Sequence, residues 1–354
     1  MVAKASVEFD GSDALLGFSG SAWSSAVGPI SLQVWLDGEP VGRALSIYAN
    51  TPEMHMSLGR MWVHAPGVSA GSHQLMVVAG PTTITDQNDR FNLTLWQLGD
   101  GLVVRTTADL PCPTGSGQVL LTERFEVDGG AFMLSGSGSG WAGATGGMVQ
   151  TTMLLDGGDG TMAEVYANNA NQHLATVPVD TSYPNAGNKH GQYELQLRAQ
   201  PATNTDQGDV AHLTAIEWVD PAAAPVVLDL SPGLVDTVAS TQQGGEYIAQ
   251  STFQCGGGTL LFRVSCSGWS PQAAVPIGAS IEIDGTPRGN LDLFANFAST
   301  HLAMPSNDLV VTGVPAGKHA FQLQSGVYTY TDANDRVSVF VMEFPAAGGA
   351  GAGY

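Results

Sequence analysis

Ser21-Ala22-Trp23, Ser139-Gly140-Trp141 and Ser267-Gly268-Trp269 are one short phrase written three times. At 32 residues beyond each Trp stands a histidine: His55, His173 and His301. Each closes an aromatic-Ala-Asn-x4-His pattern, opened by Tyr48-Ala49-Asn50, Tyr166-Ala167-Asn168 and Phe294-Ala295-Asn296. Further on, three 28-residue blocks (71–98, 191–218 and 317–344) align without a gap. They share a polar turn: Thr85-Asp86 with Asp89, Thr205-Asp206 with Asp209, and Thr331-Asp332 with Asp335. The Trp positions set a period of 118 and then 128 residues. That is far too long for a solenoid unit and suits a whole small domain.

Inside each copy the hydrophobic period is two. Leu32, Val34 and Leu36 alternate before Asp37-Gly38, and Ile281 and Ile283 before Asp284-Gly285, while Met153-Leu154-Leu155 precedes Asp156-Gly157. Asp-Gly after such a run signals a hairpin turn, because Gly, and tolerably Asp, accepts positive φ. His73/Leu75/Val77, Tyr193/Leu195/Leu197 and His319/Phe321/Leu323 mark a later strand in each copy. No stretch carries a capped 3.6-residue period. The expectation is an all-β chain of three tandem antiparallel β-sandwiches, jelly-roll-like, with very little helix and about eight strands per copy. The divisions read as copy one at 1–98, a linker at 99–118, copy two at 119–220, a linker at 221–247, copy three at 248–346 and a Gly/Ala-rich tail at 347–354. Each linker is expected to hold one short extended piece, Leu102-Val103-Val104 or Val226-Val227-Leu228.

Charged residues make up 12% of the chain, and 32 acids against 12 bases give a formal net charge of −20. Such a surface repels phosphate backbones, so nucleic acid is not an expected partner. No basic amphipathic segment or long apolar run points to a membrane. The opening residues lack the apolar core of a secretion signal, which predicts a chain made in the cytoplasm. Cys112, Cys255 and Cys266 form no disulfide framework. A Cys255–Cys266 bridge across a hairpin is the alternative to buried free thiols, and buried thiols are favoured.

Each repeated residue has a functional and a structural reading. Trp23, Trp141 and Trp269 are either sugar-stacking platforms or core anchors; burial of about 150–250 Å² per aromatic favours anchors. His55, His173 and His301 would hold a cation if they met on a pseudo-threefold axis. With no Asp, Cys or second His at ligand spacing in the sequence, the histidines are read as satisfying backbone groups, and no metal or cofactor is expected. Asp86, Asp206 and Asp332 open turns that offer oxygens to calcium but lack the alternating acids of an EF-hand. Asx-type turns explain them at less cost. No nucleophile elbow, zinc-protease motif or phosphate loop is present, so no enzyme is expected.

Gly317-Lys318-His319-Ala320-Phe321-Gln322-Leu323-Gln324, then Thr331 to Arg336, then Val337 to Phe344 resembles the closing half of jelly-roll domains in tailed-bacteriophage virion proteins. Those domains are similar to the complement and tumour-necrosis-factor jelly rolls, which trimerise. The resemblance covers the last third of each copy well and the rest weakly. It implies a virion structural protein, either a head decoration (cement) protein or a tail appendage. Its partners would be major capsid or tail subunits, and it would act as a homotrimer or as a pseudo-trimer. With no fibrous shaft in the sequence, the head is the expected place. The alternative is a receptor-binding tail protein that recognises host glycans.

Overall fold

The computed structural model of the chain describes residues 1–99, 102–158, 160–183, 190–219, 224–228, 230, 237–238 and 244–345. Its strands pair antiparallel throughout, and no helix occurs among the described residues. The tail at 347–354 and most of the 221–247 connector lie outside them.

Among the described residues six separate sheets fall into three pairs, each pair built from one stretch of chain. In the second copy the eight longer strands run Leu102–Pro111, Val119–Val127, Ala131–Ala142, Gly147–Leu155, Thr161–Ala167, Val179–Tyr183, Gly191–Ala199 and Val210–Trp218. One sheet orders them first, eighth, third, sixth. The other orders them second, seventh, fourth, fifth. This is the double Greek-key winding of a jelly roll. Residues 99–118 are therefore more than a linker. Leu102–Pro111 is a full strand, paired along its length with Val210–Trp218. Val226–Val227 takes the same place beside Arg336–Pro345 in the third copy. The first copy repeats the order without a counterpart of that first strand.

The Asp-Gly turns form as the sequence predicts. Asp37, Asp156 and Asp284 have φ of 51°, 50° and 52°, and the glycines after them 90°, 69° and 70°. Two successive positive φ values give the type I′ twist that matches paired strands. Each Asp also accepts a hydrogen bond through Oδ1 from a neighbouring strand, from Gln74, Glu194 and Ala320 N respectively. All three cysteines are free and buried. Burial pushes the Cys112 and Cys266 thiols well up, which leaves them unreactive.

The third strand of each copy is buried almost end to end: Asp13–Ala22, Ala131–Ala142 and Gly258–Gly268. An ordinary sandwich strand buries alternate residues, so burial of both faces requires two covers. One face supplies Leu16 and Phe18, Phe132 and Leu134, or Leu260 and Phe262 to the sandwich interiors, which run together from copy one through part of copy two to copy three. The other face brings Leu15, Met133 and Leu261 into one cluster with Trp62, Leu98, Ile216, Trp218, Phe340 and Met342. That second core belongs to all three copies at once. The three jelly rolls thus close into a ring about a pseudo-threefold axis within one chain. Met56, Leu174 and Leu302, with Ser57, Ala175 and Ala303, surround a narrow gap of about 10 Å³ on that axis.

One layer of the ring breaks the symmetry. The equivalent cross-strand pairs there are Gly17 with Trp62, Ser135 with Asp180, and Arg263 with Asp308. Gly17 leaves the space that the Trp62 ring fills; a Cβ there would come within 2.6 Å of it. The Arg263 guanidinium lies 4.4 Å from the Trp62 ring centroid, a cation–π contact. Arg60 Nη2 donates to Asp180 Oδ2 at 2.6 Å, and Arg263 Nη1 lies 2.9 Å from Asp180 Oδ1. Asp308 Oδ1 stands 3.5 Å from Arg263 Nε and 3.8 Å from Arg60 Nη1. All four charged side chains are buried. Burial alone would raise the Asp180 carboxyl, but Arg263 and Arg60 outweigh it and hold it below its ordinary value. Burial and the neighbouring Arg60 bring Arg263 down to about 10, which leaves it charged at neutral pH.

Removing Asp180 would leave two buried guanidinium groups short of a counter-charge. Asp180→Ala is expected to cost about 3–5 kcal/mol, read as a fall in the urea unfolding midpoint. Because the folded Asp180 titrates below its unfolded value of about 3.9, its contribution is complete above that pH. It is lost as pH falls through the folded value, so an acid titration should find the ring intact at pH 5.

Candidate functional site at the three seams

The repeated residues gather where one copy meets the next. In each copy the Thr-Asp turn folds back on itself. Asp86, Asp206 and Asp332 accept through Oδ1 from the backbone N two residues on, and Asp89, Asp209 and Asp335 accept through Oδ2 from the backbone N of the first Asp. These are Asx-type turns, as the sequence predicts. Ser21, Ser139 and Ser267, the residues that open the repeated Trp phrase, donate their hydroxyls to Oδ1 of the second Asp, each at 2.9 Å. The Trp strand is thereby tied to the turn.

The histidine completes the corner. His55, His173 and His301 do not meet on the axis; each stands against the two acids of its own turn. His173 Nδ1 lies 2.8 Å from Asp209 Oδ1, and His301 Nδ1 lies 3.0 Å from Asp335 Oδ1. His55 instead presents Nε2, at 3.5 Å from Asp86 Oδ2 and 3.9 Å from Asp89 Oδ2. The sequence shows no acid at ligand spacing from these histidines, yet the fold brings two to each. The acids lie about 30 residues further along the chain and arrive through the jelly-roll winding. Burial raises the Asp89 carboxyl, against the Asp86 N–H and His55 that favour its charged form.

The aromatic-Ala-Asn-x4-His motif is an interlock between copies. Asn50 Oδ1 accepts from the backbone N of His173 at 2.8 Å, Asn168 Oδ1 from that of His301 at 2.6 Å, and Asn296 Oδ1 from that of His55 at 2.7 Å. The aromatic two residues before each Asn covers the same histidine ring. Tyr48 lies 5.4 Å from His173, Tyr166 4.9 Å from His301, and Phe294 5.1 Å from His55, between centroids. Copy one clasps copy two, two clasps three, and three clasps one. Arg336 adds an ion pair to Glu164 at the second seam, and Arg90 one to Asp292 at 3.4 Å at the third. Val210 holds the corresponding position in copy two, so the first seam has no such pair.

Trp23, Trp141 and Trp269 are half-buried and pack on the histidine of their own copy at 5.9, 6.3 and 5.9 Å. Their indole Nε1 atoms are buried without a hydrogen-bond partner among the described residues. They face inward and serve as anchors of the corner. At the end of the axis lies an open depression of about 380 Å³, lined among others by Met54, Asn168, Asn169, Gln172 and Phe297. The buried layer of Arg60, Asp180, Arg263 and Asp308 went unseen in the sequence because it is not repeated. Charged residues within otherwise apolar strands of so weakly charged a chain were the available signal.

No protein-family model matches the sequence, and no curated protein does. Among solved structures, PNGF-II is 8% identical, with 95% of this chain and 100% of that chain covered, at a TM-score of 0.33. The CBM36-1 domain of a multidomain xylanase from the hindgut metagenome of Trinervitermes trinervoides is 12% identical over 36% of this chain and 99% of that one, at 0.19. The VP2 protein of infectious bursal disease virus, a D431N mutant, is 11% identical over 93% of this chain and 69% of that one, at 0.23. At such identities and TM-scores none of these likenesses carries an argument about this chain.

The seam predicts different outcomes for the two halves of its motif. Asn168→Ala removes the acceptor of a part-buried backbone N–H and is expected to cost about 1–3 kcal/mol in chemical denaturation. The triple variant His55→Ala, His173→Ala and His301→Ala keeps all three backbone N–H donors, so it should still close the ring and elute from gel filtration as the wild type does.

Proposed function

We propose that this chain is a non-enzymatic structural component of a tailed-phage virion, a decoration or cement protein bound to the head lattice. The observation that carries the reading is ring closure by one chain. A pseudo-threefold ring of jelly rolls offers a threefold or quasi-threefold lattice position three similar faces at once, as a homotrimer would, with the order of the copies fixed. The repeated residues support it, because they are spent on turns and seams. Its partners on this reading are major capsid subunits, and it is made in the host cytoplasm before it joins the particle. The net charge of −20 suits an outer surface away from nucleic acid.

The second reading is a tail protein that recognises host glycans. One observation favours it: the axial depression sets the exposed ring of Phe297 (45% exposed) beside Asn168, Asn169 and Gln172, a pairing of aromatic face and amides that suits a sugar. Quantitative mass spectrometry of purified particles tests the proposal. It expects dozens of copies or more per particle, in fixed ratio to the major shell protein. A handful of copies, with glycan-array binding that Phe297→Ala abolishes, favours the tail reading; absence from particles overturns both.

A further inference from the structure

The three corners are alike in sequence but differ in what the histidine Nδ1 meets, and the difference singles out the first. At His55 both the backbone N and the ring Nδ1 converge on Asn296 Oδ1, at 2.7 and 3.1 Å. A backbone N only donates, so that Asn296 atom is the oxygen, and an amide oxygen only accepts. His55 Nδ1 therefore carries a proton. Nε2 is left buried, with no hydrogen-bond partner among the described residues, and aimed at two carboxylates. An imidazole whose Nδ1–H is held by a fixed oxygen while Nε2 faces outward has the arrangement of a metal-ligating histidine with its outer-shell partner.

The other donors are ready to join it. Asp86 uses Oδ1 for the backbone N of Asn88, and its Oδ2 makes no hydrogen bond among the described residues. Asp89 Oδ2 accepts the Asp86 N–H and keeps a second lone pair. Ligand atoms of His55, Asp86 and Asp89, one from each, lie within 4.8 Å of one another, as in the other two corners, and only at His55 does Nε2 face both acids of its turn within 4 Å. A triangle of that size seats a cation at about 2.0–2.2 Å from each donor with shifts of a few tenths of an ångström. Phe294 and Trp23 wall the ring on two sides, and the part-exposed Asp86 leaves the remaining coordination positions to water. In the other two corners the ring is turned. Nδ1 is engaged by Asp209 or Asp335, on an oxygen that also takes a serine hydroxyl. Their second acid is thus spent on Nδ1, and Nε2 faces a single carboxylate, at 3.9 Å from Asp206 Oδ2 or 3.7 Å from Asp332 Oδ2.

We propose that His55, Asp86 and Asp89 bind one divalent transition-metal ion per chain, of the zinc or manganese class. One imidazole and two carboxylates make a mixed nitrogen–oxygen set, which selects against calcium, a cation that takes six to eight oxygens. Because Asn296 of the third copy orients His55 of the first, the ion staples the seam that closes the ring.

The test uses the full chain stripped by chelator and titrated with zinc chloride, then separately with manganese chloride, by calorimetry, with thermal melts in parallel. One equivalent should bind for zinc or manganese, and the melting temperature should rise with the logarithm of metal concentration. Asp86→Asn keeps the acceptor for the Asn88 N–H, so the metal-free melt should stay near the wild type while affinity falls at least tenfold. Asp206→Asn and Asp332→Asn should leave binding unchanged. The proposal is overturned by no saturable heat and no melting shift with either metal. Equal losses in all three Asp variants, or wild-type affinity in Asp86→Asn, overturn it as well.

Discussion

Burial of both faces of one strand in each jelly roll is the constraint on which the molecule depends. A half-buried strand can end at its own sandwich; a strand covered on both sides cannot. Asp13–Ala22, Ala131–Ala142 and Gly258–Gly268 bury one face in the sandwich interiors and the other in a core across the axis. A copy on its own would expose Leu15, Met133 or Leu261 with the tryptophan and phenylalanine side chains beside it, a patch soluble monomers avoid. The small residues of these strands follow from the same constraint, since Ser19 and Ser137 donate directly to backbone oxygens of a neighbouring copy, those of Ser306 and Arg60.

Closure alone would suit three identical chains. The mixed layer does not. Trp62, Asp180 and Asp308 occupy equivalent places, as do Gly17, Ser135 and Arg263. Three copies of the first would crowd three indoles together, and three of the second would bury three uncompensated carboxylates. The combination, with Arg60, balances two guanidinium groups against two carboxylates and seats one indole against one of them. Arg60 Nη1, Arg263 Nε and Nη2, and Asp308 Oδ1 lack an aligned hydrogen bond, so charge balance holds the layer more than geometry does. Buried ion pairs add little stability over well-packed apolar residues, and their best-attested use is to fix register. Here that register is the identity and order of the copies around the axis.

What the sequence made legible was local or repeated. The Asp-Gly turns needed only the φ tolerance of Asp37-Gly38 and its counterparts, and the Thr-Asp turns only their own side chains. The repeats themselves foretold three similar β units. Partners across copies were not legible: nothing in Tyr166-Ala167-Asn168 says that its Asn addresses His301 rather than His173, five residues on. The full length of Leu102–Pro111 is hidden in the sequence because Arg105, Thr106 and Thr107 break the apolar run; in the fold Arg105 pairs with Glu217 and Asp128, and Thr106 donates to Glu123. Arg60 and Asp180 are hidden for the opposite reason, since they mark where the copies differ and repetition shows only what the copies share.

Small-angle scattering of the purified chain tests the closed ring most directly. A compact fold of 354 residues has a radius of gyration of roughly 20 Å, with forward scattering that matches one chain of 36.7 kDa. Three jelly rolls strung out on their connectors, with a radius of roughly 30 Å or more, would contradict the account. So would a compact particle three chains in mass.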